Sequence, residues 1–104
     1  MESCRVDFAV LPWVTPAKNV RYKIHKHGDR QLRLVEFANG FVETDWCRKG
    51  HIGYVLEGRG ELAYENHTVA FEPGNGFFIP AGEDHKHKLH VLTEVIRVVL
   101  VEDA

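Results

Sequence analysis

Short apolar segments separated by turn-forming residues run along the whole chain, and this spacing constrains the fold more than any other feature. The segments are rich in Val, Ile, Phe, Tyr and Leu, and they are separated by Gly, Pro, Asn and Asp. Helical periodicity is nearly absent. The pattern predicts an all-β domain. We expect about ten strands, near 6–11, 20–25, 31–38, 41–47, 52–57, 61–65, 68–72, 76–79, 84–91 and 95–102.

The turns between these segments have the residues that tight turns require. Asn39-Gly40 lies between two alternating runs and is the strongest hairpin signal in the sequence. The segment 12–19, with two prolines and Trp13, is expected to form an ordered surface loop or arm. Ten short strands in 104 residues suit one small barrel or sandwich spanning residues 1–104.

Charge and composition argue against several classes of partner. Lys and Arg number 13 against 15 Asp and Glu, so no global positive field favours nucleic acid or anionic lipid. The longest apolar runs, such as 98–101, are far too short to span a bilayer. Cys4 and Cys47 do not make a disulfide framework, and no leader-like segment is seen, so a reducing cytoplasm is the expected location.

The stretch DWCRKGH, residues 45–51, concentrates side chains that bind metals. Because side chains alternate along a strand, Asp45 and Cys47 are expected on one face, and the short turn after Cys47 returns His51 opposite them. A carboxylate, a thiolate and an imidazole in one barrel are ligands for a borderline metal such as zinc, iron or copper. Three such ligands leave a coordination position open.

A second stretch, residues 74–87, links the chain to a known family. Gly74, Pro80, Gly82 and His85 match, at every spaced position, the second motif of the cupin superfamily: Gly, five residues, Pro, any residue, Gly, two residues, His. Only the trailing Asn of that motif is missing, and Leu89 stands there. The chain therefore resembles a small single-domain cupin, which implies an antiparallel β-barrel of the jelly-roll type.

The first cupin motif is present with its ligand residues changed. His51 stands at the Glu position, seven residues before Gly58, and Cys47 and Asp45 stand where the family has two His ligands. The resemblance thus implies a divalent metal, whether zinc, iron, copper, nickel or manganese, held by Asp45, Cys47, His51 and His85. The alternative is an empty or water-filled pocket, in which Cys47 is a small buried hydrophobic residue and Asp45 and the two histidines satisfy one another by hydrogen bonds.

His87 is expected on the same face as His85, two residues away. It is predicted to act as an acid-base group in catalysis, with a direct ligand role or a supporting hydrogen bond as alternatives. The alternative without a functional role is a histidine that only lines the pocket.

The fold does not choose among functions, because cupin barrels serve many. One hypothesis is a metal-dependent enzyme of dioxygenase, isomerase or lyase type acting on a small organic acid or oxygenated molecule. The second is a non-catalytic module that binds a metal or small molecule, as a sensor does, and a weaker third is a metal-free interaction protein. The resemblance also implies a homodimer formed through N-terminal strands, for which the apolar run 8–11 is available.

Overall fold

The computed structural model describes residues 4–104, which form two antiparallel β-sheets packed face to face. Two 3₁₀ turns lie at Phe8–Val10 and Glu83–His85. The strands are β1 (Val14–Ala17), β2 (Val20–His27), β3 (Arg30–Ala38), β4 (His51–Glu57), β5 (Gly60–Ala63), β6 (Thr68–Phe71), β7 (Gly76–Ile79), β8 (Lys88–Val91) and β9 (Val95–Asp103).

One sheet has six strands and the other has three. The larger sheet has the order β1-β2-β3-β9-β4-β7, and the smaller has the order β6-β5-β8. Alternate residues of the central strands face inward and form the buried core, which includes Val35, Val55, Ile96, Val98 and Leu100. This arrangement confirms the predicted small antiparallel barrel of two sheets.

Seven of the predicted strands lie within two residues of their expected bounds, and they correspond to β2–β7 and β9. The predicted strand 84–91 is confirmed only in part, since β8 begins at Lys88. Glu83–His85 form instead a 3₁₀ turn after Gly82, whose φ of 126° ends the extended chain, and His87 pairs only with Cys47 among the described residues.

The predicted N-terminal strand 6–11 is wrong, and the predicted surface segment 12–19 is exposed but contains a short edge strand. The segment 6–11 contains a 3₁₀ turn rather than a strand, because the Asp7 side chain accepts a hydrogen bond from the Ala9 amide and caps the turn. The segment 12–19 contains β1, which pairs with β2 through a turn in which Asn19 has a φ of 64°. Asparagine tolerates this left-handed conformation, so the pair closes without a glycine.

The predicted strand 41–47 and the hairpin at Asn39-Gly40 are also wrong. The chain does turn at Gly40, where φ is 96°, but both edges of β3 are already paired, with β2 and β9. The segment after the turn therefore crosses to the other sheet. Among residues 4–104 its backbone pairs there only by an isolated bridge between Cys47 and His87.

Within residues 4–104 there is no helix of the length and apolarity that crossing a bilayer would take.

Candidate metal centre

Three side chains of metal-binding type converge at one end of the barrel. One ligand atom from each of Cys47, His51 and His87 lies within 4.8 Å of the other two. The isolated bridge fixes two of them, because the Cys47 amide donates to the His87 carbonyl at 2.8 Å and the His87 amide donates back at 3.0 Å. His51 is the first residue of β4, and His87 is only 3% exposed.

The two imidazoles are oriented by acceptors behind them. His51 Nδ1 lies 2.8 Å from Glu102 Oε2, and His87 Nδ1 lies 2.9 Å from the His85 carbonyl oxygen. A carboxylate and a carbonyl can only accept, so both Nδ1 atoms donate. Nε2 of each ring is then left for the thiol side, and His51 Nε2 lies 3.6 Å from Cys47 Sγ. In its neutral form each ring is therefore the tautomer that binds metals through Nε2.

Glu102 is a fixed anion behind His51. Arg33 donates to its two oxygens from Nε at 2.6 Å and Nη2 at 2.8 Å, and Gln31 Nε2 donates at 3.0 Å. Burial raises the pKa of Glu102, but the hydrogen bonds from His51, Arg33 and Gln31 outweigh it and hold the pKa far below the usual value. Glu102 is therefore ionised at neutral pH and can accept the hydrogen bond from His51 Nδ1.

Protons are distributed unusually among the three clustered groups. Hydrogen bonds from His51 and His87 lower the pKa of Cys47 to about 5. Burial lowers the pKa of His51, but its bonds to Cys47 and Glu102 outweigh this and raise it to about 9. Burial also opposes a rise for His87, yet the Cys47 thiolate raises its pKa as well. Without a metal, the cluster at neutral pH is a thiolate paired with imidazolium.

The structure does not bring Asp45 and His85 into this group. Both side chains are exposed, and His85 lies in the 3₁₀ turn, where it contributes its backbone carbonyl to His87. That turn moves the start of β8 along the chain, so the inward position falls on His87, two residues after the histidine that matches the family motif. Their predicted ligand roles remain predictions that metal analysis can test.

Sequence reasoning missed two carboxylates of the site. Glu102 lies two residues after Leu100 on β9, so it shares the inward face, and an inward-facing charge in an apolar strand was the available signal. Glu43 lies four residues before Cys47 in a segment without regular pairing, and its Oε1 accepts from the Leu89 amide at 2.8 Å. Burial raises the pKa of Glu43, and the Cys47 thiolate adds to that rise.

The group opens onto a cavity of about 270 Å³ inside the barrel. Most of the wall is apolar and comes from both sheets, including Val35, Val55, Leu62, Phe71 and Leu100. The charged and metal-binding side chains of the lining are Arg33, Glu43, Cys47, Lys49, His51 and His87. A metal held by the three clustered residues would thus face a mostly apolar chamber, the usual composition of a small-molecule site.

Comparisons with known proteins agree with this architecture. A family model described as a cupin domain matches residues 44–101. Among curated proteins, none matches the chain in sequence.

Solved structures match over nearly the whole barrel. The polyketide cyclase RemF from Streptomyces resistomycificus has a TM-score of 0.80 at 21% identity, over 98% of this chain and 80% of that chain. KdgF from Halomonas sp. has a TM-score of 0.70 at 25% identity, over 89% of this chain and 88% of that chain. An RmlC-like cupin from Shewanella frigidimarina has a TM-score of 0.73 at 13% identity, over 98% and 91%. These similarities show a shared fold.

Proposed function

The chain belongs to the cupin family, and from that premise we propose that it is a metal-dependent enzyme in which Cys47, His51 and His87 hold a divalent metal beside the barrel cavity. A small oxygenated organic molecule would bind in that cavity. The observation that carries the proposal is the convergence of one thiol and two imidazoles whose Nδ1 atoms already donate to fixed acceptors.

The donor set fits a borderline divalent metal. A thiolate and two neutral imidazoles suit zinc, iron or copper better than magnesium or calcium, which prefer oxygen ligands. The low pKa of Cys47, about 5, makes the thiolate available at neutral pH without the metal. Three ligands leave room for a substrate oxygen, which is the pattern of catalytic rather than structural sites.

When bound, the metal would supply Lewis acidity toward an oxygen of the ligand. The surrounding residues would orient the ligands, exclude water and transfer a proton. Glu102 and the His85 carbonyl hold the imidazole rings in orientation, and the apolar wall keeps bulk water away. Glu43, whose burial raises its pKa, is placed to take or return a proton at its carboxylate.

Metal analysis of four single variants tests this proposal. We expect protein purified without added metal to contain about one divalent ion per chain, and Cys47→Ala or His87→Ala to lose it. Asp45→Ala and His85→Ala are the matched controls and should keep the metal, because both side chains lie outside the group. Circular dichroism checks that each variant is folded.

The outcomes separate the competing assignments. Metal retained by both Cys47→Ala and His87→Ala would contradict the proposed centre, whereas metal lost from His85→Ala would favour the ligand set that the family motif implies. Turnover decides between an enzyme and a sensor. If the metal-loaded protein binds small organic acids but leaves a broad panel of them unchanged, with and without dioxygen, the enzymatic part of the proposal fails.

A further inference from the structure

The cavity wall carries two pairs of aromatic rings. The ring centroids of Phe37 and Phe41 lie 5.0 Å apart, and those of Phe71 and Phe77 lie 5.6 Å apart, close to perpendicular. All four rings line the cavity. Gly53 leaves space for one of them, since a Cβ at that position would lie 2.3 Å from the Phe77 ring. Such walls favour a flat ring over a chain of hydroxyl groups.

Glu43 is the carboxylate of the cavity lining, and within the described residues no lysine or arginine forms an ion pair with it. Its Oε1 accepts from the Leu89 amide, and the structure gives its Oε2 no hydrogen bond within residues 4–104. Glu102, by contrast, is bound by Arg33, Gln31 and His51. An ionised carboxylate accepts several hydrogen bonds, so Glu43 has acceptor capacity left for a ligand in the cavity.

Glu43 and the metal group lie at the same end of the cavity. The amide that binds Glu43 belongs to Leu89, two residues after His87 on the same stretch of chain, which is about 7 Å in extended geometry. The thiolate of Cys47 is near enough to raise the pKa of Glu43. The polar end of one small ligand in the cavity is therefore able to contact both Glu43 and the group formed by Cys47, His51 and His87.

On the basis of the proposed metal centre, we infer that the cavity selects a planar, ring-bearing molecule with two neighbouring oxygen substituents. One oxygen faces the group formed by Cys47, His51 and His87, and the other is a hydroxyl that donates to Glu43. The ring body packs among the four phenylalanines. Polyols and aliphatic hydroxy acids fit poorly, because the polar lining residues can satisfy only some of their hydroxyls and the rest would face the apolar wall without partners.

Calorimetry with metal-loaded protein tests this inference. The probes are a naphthalene diol with adjacent hydroxyls, a naphthalene with one hydroxyl, and gluconate. We expect the diol to bind at least about tenfold more tightly than either comparison molecule, since it alone satisfies both polar contacts. Ultrafiltration with elemental analysis shows that the metal stays on the protein during the titration.

Glu43→Gln isolates the carboxylate, because glutamine keeps an oxygen for the Leu89 amide but loses the charge. We expect about tenfold weaker diol binding with unchanged metal content. Glu72→Gln, at an exposed position outside the cavity lining, is the control and should bind as the wild type does.

The outcomes distinguish this inference from the function on which it rests. Protein that loads metal but binds gluconate as tightly as the diol overturns the inferred ligand class and leaves the metal centre standing. Protein that does not load metal overturns the proposed function, and the inference fails with it. Equal diol affinity in wild type and Glu43→Gln overturns the role of Glu43.

Discussion

At the scale of single residues, metal binding at the site depends on which of its groups are protonated in the metal-free protein. Cys47, with a pKa of about 5, is a thiolate at neutral pH, and His51, with a pKa of about 9, is protonated. Metal needs the thiolate, which is present, and the neutral imidazole, which is not. Binding must therefore displace at least the proton of His51.

Metal affinity should consequently rise with pH between about 5 and 9. Over this range His51 loses its proton more readily as pH increases, so we expect the affinity to gain about tenfold per pH unit for each displaced proton and to level off above the pKa of His51. Competition with a chromophoric chelator at several pH values measures this. A flat profile from pH 6 to 8 would show that His51 is not a ligand.

Two buried carboxylates of the chain offer a matched comparison. Glu102 is held by Arg33 and contacts His51, whereas Glu36 is held by Arg21 and Arg97 on the other face of the sheet. Glu102→Gln should weaken metal binding by about tenfold or more, because the acceptor that orients His51 loses its charge. Glu36→Gln should destabilise the fold without changing metal affinity, as thermal unfolding and chelator competition would report. If both variants lose metal affinity equally, Glu102 acts on metal binding only through the stability of the fold and not by orienting His51.

At the scale of elements, strands whose residues alternate or are uniformly apolar were predictable from sequence. The bounds of β2, β3, β4 and β9 follow from local pattern, because each strand packs one face on the core. Family membership was also predictable and is confirmed, since Gly74, Pro80 and Gly82 have the spacing of the family motif although the first-motif ligand residues differ.

The pairing of segments was not predictable from local pattern. The run 41–47 alternates like a strand, yet both edges of β3 are occupied, one by the preceding strand β2 and the other by β9, which is distant in sequence. Local pattern also could not decide which histidine joins Cys47 and His51. A 3₁₀ turn after Gly82 decides whether His85 or His87 faces the barrel, and that choice depends on backbone geometry that spacing alone does not encode.

At the scale of the whole molecule, the outer face of the larger sheet has an apolar end and an ionic end. Cross-strand register places Leu32, Val101, Ile52 and Phe78 in one row, and Leu34, Val99 and Tyr54 in the next. The ionic end is built by Arg21, Glu36, Arg97 and Glu57. Apolar rows that continue across adjacent strands, with exposed side chains at the edge strand β7, are typical of surfaces covered by a partner.

We expect a second copy of the chain to cover this apolar end, giving the homodimer that the family resemblance implies. Phe78 is 74% exposed on edge strand β7, so a charge there should oppose any such contact, and Phe78→Asp should sediment as a monomer at micromolar concentration where the wild type is dimeric. Val10→Asp is the control, because Val10 is 78% exposed in the N-terminal 3₁₀ turn, where the sequence had suggested that strands exchange. A dimer lost in Val10→Asp but kept in Phe78→Asp would place the interface at the N terminus. A monomeric wild type would remove the dimer altogether.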